Sequence, residues 1–310
     1  MKINTLSDHL KKTYGCKVYK LSLQSGCTCP NRDNTIGTGG CTFCSEGGSG
    51  DFAAFFITKD NNGNPISIEE NIDMQIESAK EKVASKLKGK EHKYIAYFQS
   101  FTNTYGDPAV LEKIYKRALS HPEIVALSIG TRPDCLSENI LSILENLRNE
   151  FNKEIWLELG LQTINEKTAL HIKRGYQLPV FEDAYKRLKE RNFIVIVHVI
   201  LGLPGENEED ILSSIRYLAG LTPRLDGIKL QLLHILKGTE LAREYETSPF
   251  HVFTLDEYCD IVVKCLKILP EDIVIHRITG DGPKRLLIEP MWSANKKNVL
   301  NTLNNAIRNA

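Results

Sequence analysis

Short apolar runs alternate with longer amphipathic segments along most of the chain. The runs are rich in β-branched residues and have few polar positions, which is typical of strands buried on both faces of a sheet. They predict strands at residues 17–24, 94–100, 124–131, 154–163, 193–204, 227–236 and 272–278. The segments beside them repeat apolar residues at helical spacing and predict helices at residues 67–87, 108–120, 137–151, 181–192, 207–221, 254–269 and 293–310.

This alternation indicates an α/β fold in which parallel strands are joined by right-handed helical crossovers. Six or seven strand–helix units that close partway favour a partial (β/α)6 barrel of the TIM type over a Rossmann sheet. No linker or repeat divides the chain, so we expect a single domain over residues 1–310, with a core barrel at about 17–240 and a C-terminal extension at about 241–310. In such a barrel, active-site residues lie in the loops that follow the strands.

The composition is that of an ordinary globular chain of 310 residues, 42% hydrophobic and 25% charged. Because neither a signal peptide nor an apolar run of about 18 residues is visible, we expect a cytoplasmic protein without membrane association. The eight cysteines are too few for a disulfide scaffold. In a reducing compartment, clustered cysteines indicate metal ligands or catalytic groups.

The net charge is zero, but the charges are unevenly distributed. Basic residues outnumber acidic ones by six to one in residues 1–32, and by six to two from residue 277 onward. These basic ends would form one polyanion-binding face if the fold brings them together. The alternative is that they are scattered, solvated side chains.

The segment SLQSGCTCPNRDNTIGTGGCTFCSEGG, residues 22–48, contains the candidate ligands Cys27, Cys29, Cys41 and Cys44. Four thiolates suit a structural zinc, but two cysteines separated by one residue point to opposite sides of an extended chain. A three-thiolate site with an open position, and therefore an iron–sulfur cluster, is favoured. A zinc site and a disulfide stay open as alternatives.

The glycines of this loop and its aromatic residue fit a cluster. Gly37, Gly39 and Gly40 let the backbone coil closely, so that its N–H groups can point at a sulfide-rich anion. Phe43 lies between two of the cysteines and would shield one side.

The loop resembles that of the radical S-adenosylmethionine (SAM) superfamily. Eleven residues lie between Cys29 and Cys41, and this spacing is similar to that of the branch that includes the catalytic subunit of Elongator. CPNRDNTIGTGGCTFC also resembles the CPNRDGT-x-G-x-GGCTFC pattern of the YhcC-like, MnmL-type group, with Asn34 in place of glycine. The resemblance implies that Cys29, Cys41 and Cys44 hold a [4Fe–4S] cluster, with Cys27 as a bystander.

The resemblance also implies the chemistry. The fourth iron chelates SAM, and an electron from the cluster cleaves it to a deoxyadenosyl radical that takes a hydrogen atom from the substrate. Members of the MnmL type convert the carboxymethylaminomethyl group of tRNA wobble uridine to an aminomethyl group. The expected partners are therefore tRNA and a flavodoxin- or ferredoxin-type electron donor.

Residues after the second and third strands are candidates for binding SAM. Gln99 and Ser100 occupy the place where the superfamily often has a Gly-Gly-Glu stretch that contacts the methionine amine. Thr131 and Arg132 belong to a Thr-Arg-Pro-Asp turn similar to that of the Elongator-like branch. The alternative for Arg132 is a simple ion pair with Asp134.

Further candidates follow the fourth and fifth strands. Glu158 and Gln162 are polar positions in an apolar strand and need buried partners, for which ribose hydroxyls are suited. Arg174 matches the Arg-Gly-Tyr/His turn of the branch and is expected to hold the methionine carboxylate. Gly202 would allow close approach of adenine, which Leu203 would cover.

Basic residues and histidines of the later strands suggest a pocket for an anionic substrate. The candidates are Lys229, His234, Lys237, His276 and Arg277. A lone strand histidine is more often a core residue, and this alternative extends to His198. Two other functions remain open: a radical SAM enzyme acting on a small metabolite or tetrapyrrole, and a zinc-stabilised, noncatalytic RNA-binding protein.

Overall fold

The computed structural model describes residues 1–48, 53–54, 56–59, 62–87, 89, 91–280 and 282–310. The strands are β1 Lys17–Leu23, β2 His92–Phe98, β3 Ile124–Thr131, β4 Glu154–Gln162, β5 Ile194–Leu201, β6 Gly227–Leu232, β7 Ile235–Leu236, β8 Val274–Arg277 and β9 Leu287–Glu289. The α-helices are α1 Leu6–Tyr14, α2 Ile68–Leu87, α3 Pro108–Ser120, α4 Glu138–Phe151, α5 Glu166–His171, α6 Leu178–Glu190, α7 Glu208–Ala219, α8 Glu240–Thr247, α9 Leu255–Ile268 and α10 Lys296–Asn309.

Seven strands form one parallel sheet in the order β1-β2-β3-β4-β5-β6-β8. Within the described ranges, the edge strands β1 and β8 do not pair with each other, so the curled sheet is a half-barrel with an open seam. This confirms the predicted partial barrel. The predicted strand 227–236 is divided, because the chain turns after β6 and β7 pairs antiparallel with β9.

The side chains inside the barrel form layers. At the N-terminal ends of the strands, Ile95, Ala126, Trp156 and Ile196 pack around Leu10 of α1, which closes this end. Two residues further along, strand alternation points Tyr97, Ser128, Glu158 and His198 to the same interior. An apolar floor therefore lies beneath a polar layer.

A larger apolar core lies between the sheet and the helices, and the C-terminal helix belongs to it. Val299 and Leu303 of α10 are in the same buried cluster as Leu230 of β6 and Val262 of α9. The ammonium group of Met1 donates to the carbonyl oxygen of Ile307 over 3.0 Å. Among the residues described, no helix is both long and apolar enough to cross a membrane.

Candidate functional site

The cysteine loop follows β1 and is held by its own side chains. The Arg32 guanidinium donates to the carbonyl oxygens of Cys44 over 3.2 Å and Ser45 over 2.5 Å. Gly40 has a φ of 91°, and a Cβ there would lie 2.8 Å from the Arg32 Nε atom. The Gly40 N–H donates to the carbonyl oxygen of Asn31. Glycine at position 40 therefore lets the loop fold back on Arg32.

Three of the four loop cysteines line one cavity at the C-terminal ends of the strands. Cys29, Cys41 and Cys44 share this space, which we name the cysteine cavity. Cys27 lies outside it, beside the turn that precedes α3, where a Cβ on Gly106 would be 3.0 Å from its sulfur. The geometry therefore separates Cys27 from the other three.

The environment of Cys41 suits a bound metal cluster. Burial and the neighbouring Cys44 raise the pKa of the Cys41 thiol to about 12, so its proton must leave when a metal binds. The Asn31 side-chain amide donates to the carbonyl oxygen of Lys173 and lies 3.5 Å from the Cys41 sulfur. An N–H directed at a cluster thiolate is one of the means by which proteins set the reduction potential.

The arrangement of the thiols differs from that of a single-ion site. Zinc bound to thiolates at about 2.3 Å requires sulfur atoms roughly 4 Å apart. In the described ranges, no group of three His, Cys, Asp or Glu side chains is placed to hold one ion. A cluster in which each thiolate binds a different iron does not need such a group.

An orphaned polar atom in the same cavity fits an organic ligand. The Gln162 Oε1 atom is buried and, within the described structure, has no hydrogen-bond partner. Gln162 has a φ of 69° beside an irregularity in the β4–β5 register, which turns this residue at the end of its strand. Its oxygen is available to a donor such as a ribose hydroxyl. The residues present thus fit a thiolate-held cluster with an organic cosubstrate beside it.

The cysteine cavity brings together most of the predicted cofactor residues. Those that line it are Phe43, Gln99, Thr131, Arg132, Glu158, Gln162 and Arg174. Ser100, Gly202 and Leu203 do not line it. The Ser100 hydroxyl is buried without a described hydrogen-bond partner. A Cβ on Gly202 would meet the Phe253 ring at 3.1 Å, and Leu203 is buried in an apolar cluster.

Arg174 has protein partners that the sequence did not indicate. Arg174 is 1% exposed and donates to the carbonyl oxygens of Leu161, Thr163 and Tyr176. It also pairs with Glu166 over 3.0 Å, so its donors hold the end of β4 rather than forming an open fork for a carboxylate.

Arg132 follows the alternative considered for it. Its guanidinium binds both carboxylate oxygens of Asp134, at 2.9 and 2.7 Å, and donates to the carbonyl oxygen of Arg174. It thereby connects the turn after β3 to the turn after α5.

Glu158 has its buried partners within the protein: two lysines, a serine and a histidine. It accepts from Lys20 at 2.5 Å, Ser128 at 2.6 Å and His198 at 2.8 Å, and it pairs with Lys229. Burial alone would raise the pKa of Glu158, but Lys20, Lys229 and His198 hold it well below its ordinary value. Burial lowers the pKa of Lys229 to about 7 and that of His198 to about 4.

A second cavity, of about 890 Å³, opens beside the seam between β1 and β8. We name it the basic cavity after the residues that line it: Lys20, Lys82, Lys86, Lys229, Arg277, Lys284, Arg285 and Lys296. Its described lining contains no Asp or Glu. Both basic ends of the sequence therefore contribute to one site, together with two α2 lysines that the sequence analysis did not single out.

The predicted substrate residues are divided by the structure. Lys229, His276 and Arg277 line the basic cavity, and Tyr97 and Gln99 line both this cavity and the cysteine cavity. His234 lies in a smaller neighbouring cavity with Phe43 and Cys44. Lys237 is exposed after β7 and lines neither named cavity.

Family models cover most of the chain. The Radical SAM superfamily model matches residues 29–218, and the Radical SAM C-terminal domain model matches residues 225–309. The chain belongs to the radical SAM superfamily. Members of this superfamily use a [4Fe–4S] cluster and SAM.

Relatives of this radical SAM protein include two bacterial proteins of similar length. It is 40% identical over 306 residues to the uncharacterized protein YtqA of Bacillus subtilis strain 168, covering 99% of this chain and 89% of that one. It is 34% identical over 294 residues to protein YhcC of Escherichia coli K12, covering 95% of this chain and 88% of that one. Elongator complex protein 3 of Dictyostelium discoideum is 27% identical over 180 residues, covering 57% of this chain and 31% of that one.

Solved structures share the fold. The archaeal Elp3 of Methanocaldococcus infernus aligns with a TM-score of 0.62 at 17% identity, covering 91% of this chain and 63% of that one. Methylornithine synthase (PylB) aligns with a TM-score of 0.54 at 16% identity, covering 87% of this chain and 67% of that one. These likenesses confirm the radical SAM type of barrel.

Proposed function

We propose that this radical SAM enzyme converts the carboxymethylaminomethyl group of tRNA wobble uridine to an aminomethyl group. The observation that carries the proposal is the basic cavity, which lies at the open seam and shares Tyr97 and Gln99 with the cysteine cavity. A polyanion bound along the lysines would place one of its groups next to the cofactors. The choice of the wobble uridine as the modified nucleoside is based on the resemblance to the MnmL type.

The chain's own residues have distinct tasks in this proposal. When bound, the cluster and SAM supply a deoxyadenosyl radical that takes a hydrogen atom from the uridine side arm. Cys29, Cys41 and Cys44 hold the cluster, and the free Gln162 Oε1 accepts from the cosubstrate. Gln99 lies between the cavities and orients the side arm.

Two further parts of the proposal concern the surroundings of the enzyme. The eight cysteines are all free thiols, which supports a cytoplasmic location. We assign reduction of the cluster to a flavodoxin- or ferredoxin-type donor.

Nucleoside profiling of bulk tRNA tests the proposed activity. Deleting the gene should make carboxymethylaminomethyluridine accumulate at the expense of aminomethyluridine, and the purified, anaerobically reconstituted enzyme with SAM and a reductant should reverse this. A profile that is the same with and without the enzyme would refute the assignment to tRNA.

The volume of the basic cavity favours a second candidate function. A volume of about 890 Å³ lies within the range of small-molecule sites, so the basic cavity also suits a carboxylate-rich metabolite or tetrapyrrole. tRNA that co-purifies with the enzyme and is released by salt supports the first candidate, because phosphate contacts weaken steeply with ionic strength. Metal analysis tests the noncatalytic zinc alternative, which requires zinc without iron or acid-labile sulfide.

A further inference from the structure

Three cations from different strands meet where the basic cavity enters the barrel. Lys229 of β6 is the register partner of Arg277 of β8, and Lys20 of β1 lines the same cavity and reaches into the barrel as far as Glu158. Lys20 and Lys229 lie 4.6 and 4.5 Å from the centre of the same Tyr97 ring. The aromatic ring that borders the cysteine cavity is thus flanked by two ammonium groups.

The charges at this inner end do not balance. Glu158 is the carboxylate bound by both lysines, so Arg277 is a cation in excess of this pairing even when Lys229, with a pKa of about 7, is neutral. Burial lowers the pKa of both His198 and His276, which keeps these neighbours neutral near pH 7. The excess of positive charge favours an additional anion.

Arg277 is the cation whose charge is not matched. Its Nη1 atom donates to the Oε1 atom of Gln231 at 3.3 Å, and it makes no ion pair with any carboxylate in the described part of the chain. A half-buried guanidinium with free donors is the side chain best suited to bind a carboxylate in two-pronged fashion.

A neighbouring polar atom also lacks a protein partner. The Nδ1 atom of His276 is buried without a hydrogen-bond partner in the described structure, and this residue lines the same cavity. Its ring packs edge-on against Trp156, with centroids 5.5 Å apart, so the position of the ring is fixed. A ligand group at the inner end can therefore satisfy both Arg277 and His276.

We propose that Arg277, Lys229 and Lys20 form a carboxylate-binding subsite that takes the carboxylate of the substrate's side arm. This identification of the carboxylate rests on the proposed function. Because Tyr97 and Gln99 separate the subsite from the cysteine cavity, a carboxylate held there positions the rest of the arm toward the cofactors. The subsite also distinguishes substrate from product, since the aminomethyl product has lost the group that it binds.

Binding of free nucleosides to the anaerobic, cluster-loaded enzyme tests the subsite. Calorimetry would compare 5-carboxymethylaminomethyluridine with 5-aminomethyluridine on the wild type, on Arg277→Gln and on Arg277→Lys. The wild type should prefer the carboxylate nucleoside roughly tenfold or more, because a charge-assisted contact is lost in its competitor. Arg277→Gln should reduce the preference to within about threefold, and Arg277→Lys should retain part of it.

The matched control is Arg224→Gln, which makes the same chemical change in an exposed pair with Asp272. It should leave the preference unchanged. Equal binding of both nucleosides by the wild type, or an unchanged preference in Arg277→Gln, would overturn the subsite. So would an equal loss in Arg277→Lys and Arg277→Gln, because it would indicate packing rather than charge.

The two proposals fail in different ways. A wild type that changes the nucleosides of tRNA but binds both free nucleosides equally keeps the proposed function and loses the subsite. A wild type with a carboxylate preference that depends on Arg277, but with no effect on tRNA, keeps the subsite and loses the assignment to tRNA.

Discussion

Glu158→Gln should destabilise the protein strongly at pH 6 and by a smaller amount at pH 9. The carboxylate is 1% exposed and is shared by Lys20 and Lys229. Removing one partner of a buried ion pair leaves uncompensated charge, which typically costs about 3–5 kcal/mol. Glutamine can accept hydrogen bonds at this position, but it cannot neutralise either ammonium group.

The pH dependence follows from the pKa of Lys229. In the folded wild type burial lowers this pKa from 10.5 to about 7, even though Glu158 acts to raise it. Without the carboxylate it falls further, so the variant releases the Lys229 proton at a lower pH. The unfolded chains keep that proton up to about pH 10, and therefore the variant gains stability with rising pH before the wild type does. Because the wild type itself releases this proton near pH 7, the difference at pH 9 should be smaller than at pH 6 by up to about 1.4 kcal/mol, the equivalent of one pKa unit.

Urea unfolding followed by far-ultraviolet circular dichroism at pH 6 and pH 9 measures both differences. Glu150→Gln is the control, because its pair with Lys116 is about half exposed on both sides, at 48% and 53%. It should cost less than about 1 kcal/mol at either pH. A loss below about 1 kcal/mol for Glu158→Gln at pH 6, or an equal loss at both pH values, would refute the buried-charge account.

Three other predictions concern the cluster, the acid stability and tRNA. Cys41→Ala should abolish the visible absorbance and iron content of the reconstituted protein, whereas Cys27→Ala should retain both; iron loss in Cys27→Ala would contradict the ligand assignment. The pKa of folded His198 is lowered to about 4, so the unfolded chain binds this proton first as the pH falls from 6.5. Titration of His198 should therefore lower the free energy of unfolding of the wild type by up to about 3 kcal/mol between pH 6.5 and pH 4. In His198→Gln, the free energy of unfolding from urea titrations should fall less steeply over this range. Replacing Lys82 and Lys86 together by alanine should weaken tRNA binding and lower the slope of log affinity against log salt by about 1–2; an unchanged slope would remove α2 from the interface.

The sequence was sufficient to predict the parallel strands of the barrel, but not to predict β7 and α1. Strands buried on both faces carry a local signal, and the parallel order follows from the crossovers. The two-residue β7 exists through pairing with β9, some fifty residues later, so no local pattern marks it. α1 was missed because its apolar face is small, with Leu10 as its buried residue.

The same distinction applies to the site. The cysteines belong to one contiguous motif, so their proximity could be predicted. An acidic residue at position 158 of an apolar strand indicated that a partner was needed, but Lys20 and Lys229 reach it from strands far away in the chain. Similarly, a lone arginine motif did not reveal that the donors of Arg174 are bound to nearby carbonyl groups.

The N-terminal segment lies beside the unpaired edges of the sheet. Thr5 forms a parallel bridge with Ile275 of β8, while α1 packs against both β1 and β8. Since no ladder of backbone hydrogen bonds joins those edges in the described ranges, the contacts of the first fourteen residues connect them instead. The open seam is therefore spanned by a short helix rather than by pairing of the sheet edges.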